Sequence, residues 1–202
     1  MENNSTSVAA EKKVDVSDRT AETLSLGSGL LGWMTIVFAF SSLGYYPMGG
    51  MVLSVVLFSG IGFFAVSLTC WKKGNEFGAL TFGLITVFAF SFATFNLLPG
   101  TGMMALPTPD ELGTFMTSFA LVLAVICLVT MIMPVRLLTI IIGLASIMFL
   151  CVGLHFFTLE AYFMDIVGYL GLVVGVLSIY MAIALVVNGL VKKEMLPILM
   201  KQ

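Results

Sequence analysis

Six stretches of this chain, each long enough to cross a bilayer as a helix, contain no Asp, Glu, Lys or Arg. They run over 27–46, 50–71, 77–98, 112–133, 137–157 and 166–191. A hydrocarbon core about 30 Å thick needs about 20 apolar residues of helix. A charge at the centre of such a helix costs roughly 2.5–3.5 kcal/mol. The expected fold is therefore an all-α integral membrane protein, a bundle of six transmembrane helices spanning 27–191. Composition agrees, because 59% of the 202 residues are hydrophobic and only 10% charged, against about a quarter charged in soluble domains. The six prolines fall between or after the spans, where a missing N–H does no harm.

The charges set the expected orientation. Lys12, Lys13 and Arg19 precede the first span, Lys72 and Lys73 join the second to the third, Arg136 joins the fourth to the fifth, and Lys192, Lys193 and Lys201 follow the sixth. With six spans all nine cations share one side, while the opposite connections carry only Asp110, Glu111, Glu160 and Asp165. The positive-inside rule then puts both termini in the cytoplasm and the protein in the plasma (cytoplasmic) membrane as a multi-pass chain. Residues 1–26 read as a cytoplasmic tail, partly disordered, polar at first and with a short interfacial helix from about Asp18, and not as a cleaved signal peptide. Residues 192–202 read as the cytoplasmic C-terminal tail. Trp71, Tyr45, Tyr46, Tyr162 and Tyr169 sit where interfacial aromatic belts form.

Within lipid, close backbone contact through small residues holds helices together. Gly60, Gly62 and the run Gly168, Gly171, Gly175 mark the expected contacts. The 99–111 connection, with three prolines and two glycines, reads as a rigid external loop.

The same residues exclude several function classes. Catalysis inside a membrane needs ionisable groups brought together, and this chain has one histidine and no carboxylate within its spans. It reads as no enzyme, with no cofactor. Cys70, Cys127 and Cys151 form no CxxC or Cys/His cluster, so neither a disulfide framework nor a metal site is expected. A net charge of -2 gives no basis for a nucleic-acid partner. His155, near the outer end of the fifth span with Glu160 beyond it, reads either as a proton-sensing group or as an interfacial ring bonded to water or a carbonyl. What remains in the spans is a set of neutral hydrogen-bonding groups, suited to small and weakly charged solutes.

Several tracts resemble the acetate uptake transporter family, the succinate-acetate permeases. They are Gly44-Tyr45, Lys72-Lys73-Gly74-Asn75 followed by Phe77-Gly78, the stretch 168–182 reading GYLGLVVGVLSIYMA, then Asn188 and Leu196-Pro197-Ile198. The resemblance covers about Leu26 to Ile198. It implies a six-helix protein moving short monocarboxylates, assembled as a hexameric ring similar to the urea channels, each subunit with its own pore. Matched positions imply a substrate pathway through Gly27, Thr35, Asn75, Phe77, Tyr180 and Asn188, with Leu31 and Ile85 aligned to the gate. The family's Asn-Pro-x-Pro-Leu-Gly signature keeps only Leu26 and Gly27 here, in Glu22-Thr23-Leu24-Ser25-Leu26-Gly27. Its gate tyrosine aligns with Ile85 and a neighbouring hydroxyl with Leu84. The leading expectation is a channel or secondary transporter for acetate or a similar short monocarboxylate, coupled to protons or not. Two others stay open: a channel for small neutral solutes such as urea, amides or ammonia, and a membrane scaffold or sensor that transports nothing. The partners implied are the lipid bilayer, the solute and further copies of the chain.

Overall fold

A computed structural model describes residues 23–199. Six helices follow in order: α1 (Thr23–Ser42), α2 (Gly50–Lys72), α3 (Glu76–Leu97), α4 (Pro109–Thr130), α5 (Arg136–Thr158) and α6 (Tyr162–Val191), with one 3-10 turn (Leu98–Thr101) after α3. Each is long and apolar enough to cross a membrane. At 1.5 Å per residue the 30-residue α6 is about 45 Å long. The expected tail over 1–26 lies outside the described residues as far as residue 22, and so do Lys12, Lys13, Arg19 and Lys201.

Local chemistry moves several helix ends away from the edges of the apolar stretches. α1 starts at Thr23 and stops at Ser42, because Gly44 takes φ +79° and the Tyr45 N–H donates back to Phe40 O at 3.1 Å. That left-handed glycine closes the helix four residues before the apolar stretch ends. α4 starts at Pro109, ahead of the apolar run, through a capping box. The Glu111 N–H donates to Thr108 Oγ1 at 3.3 Å while the Glu111 carboxylate accepts from the Thr108 N–H at 2.7 Å.

Three antiparallel helix pairs make the bundle, and glycines let each pair close. Between α1 and α6, a Cβ added at Gly175 would stand 3.1 Å from Gly32 O, with Ile36 closer still, and Gly171 faces Ala39. Between α2 and α3, Gly60 meets Ala89 and Phe90, and the Ser67 hydroxyl donates to Ala79 O at 2.7 Å. Between α4 and α5, Gly153 lies against Thr117 and the Gly113 carbonyl, and the Ser146 hydroxyl donates to Ala120 O at 2.8 Å. The pairs join where α1 packs on α2 and α5 on α6. Phenylalanines of α3 and α4 close the ring.

Antiparallel pairing gathers the α2–α3 turn, the α4–α5 connection and the end of α6 at one end of the bundle. Lys72, Lys73, Arg136, Lys192 and Lys193 are there, and Asp110, Glu111, Glu160 and Asp165 are at the other. After α6 the chain turns back at Lys192 and ties residues 195–199 to the basic end. Asn188 holds this segment on both sides of its amide: Oδ1 accepts from the Met195 and Leu196 N–H groups, each at 2.8 Å, and Nδ2 donates to Leu196 O at 2.8 Å. The Tyr180 hydroxyl donates to Pro197 O at 2.9 Å, the Arg136 N–H donates to Leu199 O at 3.2 Å, and Ile198 is buried.

Candidate functional site: a cavity closed by stacked phenylalanines

A cavity of about 230 Å³ reaches from the Asn75 turn at the basic end to the middle of the bundle. α1, α3, α4 and α5 supply nearly all of its wall, and α2 contributes Cys70. None of the described residues lining it is charged. Its two sides differ in chemistry. α1, α3 and the turn before α3 supply its hydrogen-bonding side chains, Thr23, Ser28, Asn75 and Thr81, set among apolar ones such as Leu31, Phe82 and Ile85, whereas α4 and α5 present only apolar side chains, Leu123, Leu138, Ile141, Ile142 and Ala145 with Phe119 and Phe149.

The polar side follows from the starts of its helices. Asn75 caps α3, its Oδ1 accepting the Gly78 N–H at 2.9 Å, and stands exposed beside Phe77 at the cavity wall. Ser28 and Thr81 stand deeper, five residues past Thr23 in α1 and Glu76 in α3. Three of the seven buried hydroxyls described donate to the carbonyl four residues earlier, Thr35 to Leu31 at 2.7 Å, Thr86 to Phe82 at 2.8 Å and Ser178 to Val174 at 2.7 Å. Thr81 does not: it is 5% exposed, faces the cavity, and its Oγ1 has no hydrogen-bond partner among the described residues. Its hydroxyl is therefore open to whatever occupies the cavity, as donor or acceptor.

Toward the acidic end the cavity stops at Met34, Phe88 and Phe149. Those three residues also border a second chamber of about 20 Å³, lined further by Thr35, Phe38, Phe92, Met116 and Met148. Phe88 stacks on Phe119 with ring centroids 4.2 Å apart and meets Phe149 edge-on at 4.9 Å. Phe119 and Phe149 meet edge-on at 5.0 Å, completing a triangle of rings from three helices. Beyond it, Phe95 packs edge-on against Phe115 at 4.9 Å. An apolar constriction of this kind holds back water and ions by dewetting.

The residues singled out in the sequence fall into three places. Gly27, Leu31, Asn75, Phe77 and Ile85 line the cavity, and Thr35 lines the small chamber beyond it. Gly27 has a specific task, since the Phe82 ring fills the space where its Cβ would be, which brings α1 against α3. Tyr180 and Asn188 stand apart from the cavity lining and hold the C-terminal segment to the bundle. His155 is at the other end, where its Nδ1 lies 3.0 Å from the Glu160 carbonyl, joining the end of α5 to the following turn. Sequence reasoning about polar groups passed over Phe88, Phe119 and Phe149. Their signal was the phenylalanine spacing at 88, 92 and 95 in α3 and at 115 and 119 in α4, which puts each set on one helix face.

These features define a six-helix, multi-pass membrane protein with an uncharged internal cavity and an aromatic closure. The sequence profile of the GPR1/FUN34/yaaH family matches residues 11–198, and the chain belongs to that family. The resemblance carried by Lys72–Asn75 and the sixth-helix tract is thereby upheld. Among curated relatives, an uncharacterised protein of Methanothermobacter thermautotrophicus is 31% identical over 90 residues, 44% of each chain. The succinate-acetate/proton symporter SatP of Escherichia coli K12 is 27% identical over 99 residues, 48% of this chain and 53% of that one. The matched stretches thus span about half the length of these relatives. The structure of the bacterial acetate channel SatP superposes with a TM-score of 0.86 at 25% identity, covering 89% of this chain and 99% of the other.

Proposed function

We propose that this protein is a channel or secondary transporter carrying acetate or a similarly small monocarboxylate across the plasma membrane, with the solute passing the cavity as the neutral acid. The observation that carries the reading is the cavity itself. It offers hydroxyl and amide groups on one side, Thr81 among them, and no fixed cation among the described residues. A carboxylate taken into such a site loses its hydration without gaining an ion pair, a large penalty that protonation removes. Entry with a bound proton is therefore favoured, and flux rises as pH falls toward the carboxyl range. The family membership and the likeness to SatP, an acetate channel by its structure and a succinate-acetate/proton symporter by its description, support the same solute class.

The pathway runs past Asn75, Phe77, Gly27, Thr81, Leu31 and Ile85 to the Phe88–Phe119–Phe149 closure, then by Thr35 toward the acidic end. The basic end faces the cytoplasm in this reading, supported by the grouping of the described cations there. Assembly as a hexameric ring is part of it. A groove of about 720 Å³ between α2 and α3, formed by Gly74, Ala79 and Gly83 with exposed Trp71, Leu80 and Val87, offers a seat for a neighbouring subunit. A second reading, a channel for urea or small amides, is favoured by the uncharged lining alone.

Proteoliposomes holding the purified chain separate these. Labelled acetate should enter faster than into empty vesicles, increasingly so at lower external pH. Uptake equal to empty vesicles at every pH would end the acetate proposal, and osmotic swelling in urea or acetamide would then support the second reading.

A further inference from the structure

We infer that the cavity prefers carboxylic acids with aliphatic tails, of about butyric to hexanoic length, over acetic acid itself. The inference rests on the reading above, that a carboxylic acid occupies this cavity, and goes on to say which one fits.

Two observations lead there, the first being size. The cavity measures about 230 Å³. A water molecule's share of the liquid is about 30 Å³, so the space suits roughly seven to eight water-sized groups. An acid of about six to eight non-hydrogen atoms matches that room, whereas acetic acid fills roughly half of it. An underfilled apolar space forfeits contacts along its lining.

The second observation is the segregation of polarity. Hydrogen-bonding groups, with Ser28 and Thr81 deepest, belong to α1 and α3, where they stand among apolar residues, while α4, α5 and their connection across the cavity show only apolar side chains, among them Leu123, Met133, Ile141, Ile142 and Ala145. Thr81 Oγ1 is buried, faces the cavity and has no partner among the described residues. A neutral carboxyl group both donates and accepts, so it satisfies a threonine hydroxyl on either role. With the head held there, a tail is left against the apolar wall. Acetic acid offers that wall one methyl group. Each further methylene removed from water gains about 0.8 kcal/mol, which is close to a fourfold gain in affinity.

Binding to the full chain in detergent reads this without any transport step. The rise in unfolding midpoint is measured for acetic, propionic, butyric, pentanoic, hexanoic and octanoic acids at a pH where all share the same neutral fraction, and ligand affinity sets the rise. The expected result is an affinity increasing about fourfold per methylene up to pentanoic or hexanoic acid, then levelling or falling at octanoic. Ala145→Phe, which builds into the apolar side, should bring the turning point back by about two carbons. If that variant does not fold, Ile142→Phe serves the same purpose.

A series flat from acetic acid onward, no midpoint shift with any acid, or a rise that continues unbroken to octanoic acid in both wild type and variant would overturn the inference. The last outcome is general adsorption to apolar surface. Failure here is distinct from failure of the transport reading. Vesicles that take up acetate alongside a flat binding series would retain the transporter and refute the preference. A fourfold series with no uptake would do the reverse.

Discussion

Thr81 is a residue whose stability and function pull in opposite directions. Its hydroxyl has no protein partner among the described residues and faces the cavity, where a ligand can bond it. Replacing it with Val keeps the shape and deletes the unsatisfied atom. Thr81→Val should therefore leave the unfolding midpoint unchanged or raise stability by about 1 kcal/mol, while acid affinity falls about two- to tenfold, the value of one neutral hydrogen bond. Parallel denaturation and binding measurements check both signs, and a drop in stability with unchanged binding would assign Thr81 to structure alone. The sequence resemblance singled out Thr35 and passed over Thr81 and Thr86. All three are threonines in apolar helices, and only the fold shows that two of them spend their hydroxyls on their own helix.

Among elements, the contacts within helix pairs are decided by where a side chain is absent. At Gly153 an added Cβ would meet the Thr117 hydroxyl and stand 3.1 Å from the Gly113 carbonyl and 3.2 Å from the Thr117 N–H, so α5 would have to move off α4. At Gly189 in α6 nothing lies within 4 Å. Gly153→Ala should cost about 1–3 kcal/mol, the usual range for overpacking, and Gly189→Ala should cost nothing, as thermal melts in one detergent will compare. The turn at Lys72-Lys73-Gly74-Asn75 fell between two spans as read, but the Thr108-x-x-Glu111 capping box, which starts α4 inside the stretch read as a loop, was passed over. Helix ends were also missed where the apolar run continues past the cap. α1 ends at Ser42 although the run continues to Tyr46, because a left-handed glycine can reverse a chain among apolar residues as readily as among polar ones. Aromatic closure was written in the phenylalanine spacing, yet that spacing does not say that α3, α4 and α5 turn these faces toward one another.

For the whole molecule, the one-sided placement of cations is the organising fact. Five described cations share one end of the bundle, with Glu76 and Glu194 beside them, while Asp110, Glu111, Glu160 and Asp165 are the charges described at the other. Single cysteines introduced at Lys73 and at Glu160, in a background where Cys70, Cys127 and Cys151 are replaced, should react with a membrane-impermeant maleimide from opposite faces of the membrane. Labelling at Lys73 is expected only in inside-out vesicles, and at Glu160 only in intact cells. Reaction of both from the same face would refute the crossing pattern and the proposed pathway with it.

The sequence by itself determined that there are six apolar helices, that the cations gather at one end, and which family the chain belongs to. Each of these depends on a local rule, the cost of a charge in hydrocarbon or a run of residues matched in order. Only the tertiary structure decided which neutral groups face a common space. It gave Thr81 to the cavity and Tyr180 and Asn188 to the C-terminal segment, and it drew Phe88, Phe119 and Phe149 together from three helices. In a helix that is apolar all round, no hydrophobic face betrays which way it turns. The rotation of each helix is set by packing against its neighbours, through glycines whose importance appears only when the opposing backbone is in place.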